Sequence, residues 1–197
     1  APSLIRMRDE MGFPHVIDVI TLVESAGKSL LERNREMVRE IVRIVEPRMG
    51  EDVIEERLST FVELAHRQEI IANRNGVLFV SDVLSTAPEA SIMAIDDFSL
   101  RYPDATIYLL CGGAYQDVDL SPLVAGLNNR KSRVVTITLL ETGHMIEPEL
   151  ENFVHCDELS DGVEFATRTA KSGDIVLLAP GAPSFHRYKN YEELAAH

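Results

Sequence analysis

The chain has 197 residues, 45% hydrophobic and 26% charged, enough apolar material for one domain with a buried core, or one domain with an appendage. That excludes a disordered tail, and 19 Lys and Arg against 32 Asp and Glu give a formal charge of −13, which argues against a broad nucleic-acid surface. Apolar runs such as Val134 to Leu140 fall short of the ~20 residues that span a bilayer, no signal peptide opens the chain, and Cys111 and Cys156 are too few for a disulfide framework, so a cytoplasmic protein with no membrane association is expected.

Residues 16 to 64 read mainly as helix. Gly27-Lys28-Ser29 has the ending of a phosphate-binding loop, but Leu22 stands where that pattern requires Gly, which leaves a plain helix start. From Ser29 to Val45, Leu30, Leu31, Met37, Val38, Ile41, Val42 and Val45 recur at helical spacing. Pro47 and Gly50 end that helix, and a second pattern runs from Asp52 to Leu64.

Beyond His66 the texture changes. Strands are expected at Glu69 to Ala72, Val77 to Ser81, Thr106 to Cys111, Val134 to Thr138 and Ile175 to Ala179. Asn73-Arg74-Asn75-Gly76 joins the first two as a hairpin. Helices are expected at Pro88 to Leu100, Ser121 to Asn129 and Ser160 to Ser172, with Ser121 and Ser160 as starters, and another begins at Tyr191. Alternating strands and helices with wholly apolar strands predict an α/β, Rossmann-like, mostly parallel sheet covered on both faces, with an N-terminal hairpin and a preceding helical segment. The chain starts without Met and stops inside a forming helix, which reads as a piece of a longer protein.

In such sheets ligands bind beyond the carboxyl ends of the strands, so Asp82 to Thr86, Gly112 to Asp119 and Pro180 to Lys189 take priority. Gly112-Gly113 suits either close approach to a ligand or a tight strand exit. Ser184 is either a donor to a substrate carboxylate or the cap of the terminal helix. There is no Gly-x-Ser-x-Gly elbow, His-Glu-x-x-His or paired-Cys motif, and no metal site is expected; His66, His144, His155 and His186 read as scattered structural residues.

Several of these fragments fall into a familiar order. His66-Arg67-Gln68-Glu69, Val80-Ser81-Asp82 and Thr86-Ala87-Pro88-Glu89-Ala90 are followed by Leu110-Cys111-Gly112-Gly113 and Asp119-Leu120-Ser121-Pro122-Leu123. Gly173 to Pro180, Ala182, Ser184-Phe185 and Lys189-Asn190-Tyr191-Glu192-Glu193 close the series. Over residues 63–197 this resembles the carboxy-terminal domain of the Mur ligases, in particular the branch that adds glutamate to UDP-N-acetylmuramoyl-L-alanine. Residues 1–62, with Glu32-Arg33-Asn34, are similar to the end of that family's central domain.

The resemblance implies an ATP-dependent ligase of peptidoglycan precursor synthesis. In that chemistry a carboxylate takes the ATP γ-phosphate to form an acyl phosphate, which the incoming amine attacks. It implies ATP and Mg as cofactors of the complete enzyme, none of them tightly bound to this fragment, with an amino acid and a UDP-muramoyl peptide as small-molecule partners. Arg67, Asp82 and Asn34 would contact the nucleotide. Thr86, Gln116, Ser184, Phe185, Arg187, Lys189 and Tyr191 would line the amino-acid pocket. With the P-loop domain absent from these residues, the fragment is not expected to complete the reaction alone.

Four positions depart from the family pattern. Leu84 and Gln116 replace lysines, Met37 and Ala87 replace asparagines, and a dicarboxylate thereby loses two cationic partners. Arg187 is the expected compensation. The alternative reading is a divergent, non-catalytic binding or assembly module.

Overall fold

The computed structural model describes residues 30–62, 64–184 and 187–197. The chain divides into two compact units, Ala1–Glu63 and Leu64–His197. In the first, helix α1 (Leu30–Val45) stops before Pro47, whose ring disfavours helix in the preceding residue. Helix α2 (Glu51–Ser59) follows, with Glu51 and Asp52 in its first turn where the helix dipole favours acids. Arg39 meets Glu55 at 2.6 Å and Arg43 meets Glu51 at 2.8 Å, exposed pairs between the two helices. The expected continuation to Leu64 does not occur. Thr60 and Phe61 instead bond back three residues to Arg57 and Leu58, tightening and ending the helix.

In the second unit, β1 (Glu69–Arg74) and β2 (Val77–Ser81) form the expected antiparallel hairpin. Its turn narrows to Asn75 and Gly76, both at positive φ (54° and 82°), and the Asn73 side chain accepts from the Gly76 amide at 3.1 Å. The chain continues through α3 (Pro88–Arg101), β3 (Ile107–Cys111), α4 (Ser121–Asn128), β4 (Val134–Thr138), α5 (Leu140–Ile146) and a 3₁₀ turn (Glu147–Glu149). It ends with β5 (Val154–His155), α6 (Leu159–Thr169), β6 (Ile175–Leu178) and α7 (Tyr191–Ala196).

The six strands lie in the order β1-β2-β6-β3-β4-β5, all parallel except β1. The side-chain period of two divides β3 between two cores. Ile107, Leu109 and Cys111 pack with Ala94, Ile95 and Phe98 of α3 and Leu123 and Leu127 of α4. Tyr108 and Leu110 pack with Leu159 and Ala166 of α6 and Leu194 of α7. The mostly parallel, doubly covered sheet matches the expectation.

Three elements were not foreseen: α5, the 3₁₀ turn and β5. β5 is only two residues long, too short to show a period, and α5 starts one residue after β4 with no side-chain cap. The expected starters also shift. Leu120 and Glu158 hold the cap positions, while Ser121 and Ser160 lie inside the helices.

Phe98 is completely buried, whereas Leu100 on the same helix is 53% exposed. Phe98→Ala is expected to cost about 3–5 kcal/mol and Leu100→Ala less than ~0.5 kcal/mol in urea unfolding. Equal losses would contradict this assignment of the core.

Candidate functional site

The parallel strands point their carboxyl ends to one edge, where the chain exits β3 at Gly112, β4 at Leu139 and β6 at Ala179. These exits are knitted by backbone. Gly112 N–H donates to the Pro180 carbonyl at 2.8 Å, Leu139 N–H to Cys111 at 2.8 Å and Ala114 N–H to Pro183 at 2.6 Å. Gly112 sits at φ +130°, and a Cβ there would lie 1.7 Å from the Leu139 oxygen. One at Gly113 would lie 2.3 Å from the Pro183 oxygen. Glycine is thus required because three chain segments touch.

The amides after β3 are also engaged inside the fold. Gly113 N–H donates to Thr142 Oγ1 at 2.8 Å and Tyr115 N–H to Glu141 Oε2 at 2.9 Å. The glycine pair thus forms a tight strand exit, and Gly113 also borders open space at this edge.

Between the three exits lies a cleft of about 160 Å³ lined by Gly113, Ala114, Leu140, Glu141, Ser184 and Arg187. At ~30 Å³ per water it has room for about five waters, the scale of one amino acid. Leu140 adopts φ 56°, unusual for a bulky side chain, at the point where β4 turns into α5. Arg187 lines the cleft while its guanidinium donates to Glu158. Ser184 is not a helix cap. Asn190 caps α7 by accepting from the Glu193 amide at 2.9 Å. A larger groove of about 350 Å³ lies along a sheet face, bordered by β1, β2, α6 and α7, but its lining is mainly apolar.

A second polar centre lies at the end of β2. The Asp82 side chain is fully buried: Ser85 Oγ–H donates to Oδ2 at 2.5 Å, and the Gln68 amide and Arg67 Nη1 both reach Oδ1 at 3.3 Å. Arg67 Nη1 also reaches Ser85 Oγ at 3.4 Å, and the guanidinium remains partly exposed above the carboxylate. His66 and Gln68, both at positive φ (60° and 52°), shape this loop. His66 Nδ1 lies 3.3 Å from Ser81 Oγ, and Gln68 Nε2 donates to Asp97 at 3.1 Å. Burial pushes the Asp82 carboxyl above the usual aspartate range, opposed by Ser85 and Arg67.

No protein-family model matches the chain. It is 33% identical over 155 residues to a UDP-N-acetylmuramoyl-L-alanine–L-glutamate ligase of Salinispora tropica, covering 73% of this chain and 33% of that protein. It is 36% identical over 134 residues to a UDP-N-acetylmuramoylalanine–D-glutamate ligase of Shewanella oneidensis, covering 67% and 29%. The chain is homologous to the Mur ligases. It spans about a third of the length of these curated relatives. The fold is shared with a Yersinia pestis folylpolyglutamate synthase/dihydrofolate synthase complexed with AMPPNP and Mn, at TM-score 0.58 and 16% identity, covering 82% of this chain and 38% of that one. A murein peptide ligase of Psychrobacter arcticus matches at TM-score 0.51 and 13% identity, covering 77% and 34%.

Of the residues expected to line a Mur-type amino-acid pocket, the structure brings Ser184 and Arg187 into one cleft. Thr86, Gln116 and Lys189 are exposed outside its lining, because the chain turns out to solvent after Ala114 and Lys189 lies just ahead of α7. Tyr191 opens α7 and packs partly buried against the core below α6. Phe185 lies outside the described residues. Asn34 is half-buried on α1, in the other unit.

Asp82, expected to contact the nucleotide, is fully buried. In this structure its carboxylate meets Arg67, Gln68 and Ser85. Glu141 and Ser85 were missed, although Glu141 follows a strand and Ser85 stands three residues after Asp82, a spacing that favours a turn contact.

An acid whose folded pKa is raised gives its full stabilisation below its unfolded value, and that stability is lost as pH rises through the folded value. Ser85→Ala removes a hydrogen bond to the charged form and raises Asp82 further. The expected loss is about 1.5–3 kcal/mol at neutral pH, shrinking as the pH falls through the raised folded value of Asp82, in urea unfolding followed against pH. A loss independent of pH would contradict the Ser85–Asp82 coupling.

Proposed function

We propose that residues 63–197 are the terminal domain, and residues 1–62 the end of the central domain, of an ATP-dependent ligase that adds glutamate to UDP-N-acetylmuramoyl-L-alanine. The observation that carries this reading is the junction of Ser184 and Arg187 in one amino-acid-sized cleft at the carboxyl edge of a Mur-type sheet. Ser184 Oγ–H donates to one carboxylate of the amino acid. Arg187 exchanges Glu158 for the other carboxylate, supplying the charge lost with Leu84 and Gln116.

Arg67 fits an anionic ligand. One nitrogen of its guanidinium is engaged by Asp82 and Ser85, and the remaining N–H groups suit ATP phosphate oxygens. Asp82 holds Arg67 in place. The donors of this centre, a guanidinium, hydroxyls and a carboxylate already shared, do not fit Mg, so no magnesium ligand is assigned here. In the reaction, the UDP-muramoyl carboxylate takes the γ-phosphate and releases ADP. The glutamate amine then attacks the acyl carbon, expels inorganic phosphate and loses its proton.

The test is ATP-dependent phosphate release by the natural protein with UDP-N-acetylmuramoyl-L-alanine, screened against D-glutamate, L-glutamate and neutral amino acids. Release with one glutamate enantiomer is expected. Ser184→Ala should raise the KM for glutamate at least about 10-fold with the KM for ATP unchanged, and Arg67→Ala should raise the KM for ATP by about 10-fold or more. No release with any amino acid from folded protein would overturn the ligase reading in favour of a non-catalytic binding module.

A further inference from the structure

His144, Glu147 and His155 are separated by up to eleven residues, yet one donor atom from each lies within 4.8 Å of the other two. Three elements bring them together: α5 carries His144, the 3₁₀ turn opens with Glu147, and β5 ends at His155. Among the described residues this is the one such group of His, Cys and carboxylate donors that includes histidine nitrogens.

Each donor is held by a partner behind it. Glu147 Oε1 accepts from Thr138 Oγ1 at 2.6 Å, and the same hydroxyl reaches the Val154 carbonyl at 3.2 Å. His144 Nε2 lies 3.1 Å from the Cys156 carbonyl. A carbonyl only accepts, so Nε2 carries the proton and neutral His144 presents its lone pair at Nδ1. His155 Nε2 faces Asp157 at 3.4 Å, while Nδ1 lies 2.8 Å from Glu147 Oε1. Imidazoles with the far nitrogen on a carbonyl or carboxylate, and a carboxylate fixed by a hydroxyl, are the outer contacts that orient metal ligands.

We propose that His144, Glu147 and His155 bind a divalent transition metal of the zinc, cobalt or nickel class. Two imidazoles and one carboxylate suit these ions better than magnesium or calcium, which prefer all-oxygen sets. Half of the His155 side chain is exposed, which gives the ion a path in and leaves room for water in the remaining positions. The ion replaces the proton shared between Glu147 and His155. The two imidazole rings now stack at 4.2 Å with a 23° tilt, so binding turns them until both lone pairs converge. Because α5 also carries Glu141, the ion ties β5 to the helix that walls the amino-acid cleft.

The test is a calorimetric titration of the chelator-treated chain with Zn²⁺, followed by imidazole NMR. One Zn²⁺ should bind while the His144 and His155 resonances shift together. His144→Gln/His155→Gln should abolish that binding, Thr138→Val should weaken it about 10-fold, and His197→Gln should leave it intact. Absence of binding at millimolar Zn²⁺, or binding that moves other histidines and survives the double variant, would overturn the site. The NMR readout on the unaltered chain decides the matter even where a variant fails to fold. Neither outcome depends on ligase activity, so the proposal fails separately from the function above.

Discussion

The contact between the Gly112–Gly113 backbone and the exits of β4 and β6 sets the geometry on which the candidate site depends. Cβ atoms there would collide with the Leu139 and Pro183 oxygens, so a side chain at either glycine would pry apart segments that hydrogen-bond to one another. Because Gly112 meets Pro180, Ala114 meets Pro183 and Leu139 meets Cys111, the three loops are fixed at backbone level. Glu141, Ser184 and Arg187 therefore project from positions that core packing alone would not determine. A cleft walled by segments anchored to parallel strands holds its shape better than one built on a single loop.

Electrostatics at this edge is managed by pairing. The chain carries a formal charge of −13, and the anionic ligands proposed for this edge, an amino-acid dicarboxylate and the ATP phosphates, need local positive charge. On that proposal Arg187 serves the dicarboxylate and Arg67 the phosphates, each already partnered by an acid, Glu158 and Asp82 respectively. The two pairs differ in burial. Glu158 is exposed and can yield its partner to an incoming carboxylate at small cost, whereas Asp82 is fully buried and would be left uncompensated if Arg67 moved away. Arg187 is thus suited to exchange partners and Arg67 to stay in place.

Much of this was legible in the sequence because the relevant signals are local. The apolar runs of β3, β4 and β6 mark buried parallel strands, Asn75-Gly76 marks the hairpin, and the segment after β6 contained both Ser184 and Arg187. Other features depend on tertiary contact. β5 has two residues and no period, and α5 is shaped by Leu140 in a left-handed conformation that the residue type does not advertise. Asp82 follows a strand, where a ligand contact is expected, and the fold places Arg67, Gln68 and Ser85 around it. His144 and His155 form no motif because they lie on different elements, α5 and β5, with the 3₁₀ turn between them in the chain.

The most direct measurement is a crystal structure of the natural protein with ADP and the amino acid that it accepts. The account predicts the amino acid between Gly113–Ala114, Leu140–Glu141 and Ser184–Arg187, one carboxylate on Ser184 Oγ and the other on an Arg187 guanidinium released from Glu158. An amino acid bound away from this edge, or an Arg187 still paired with Glu158 while the ligand is held by other cations, would contradict it.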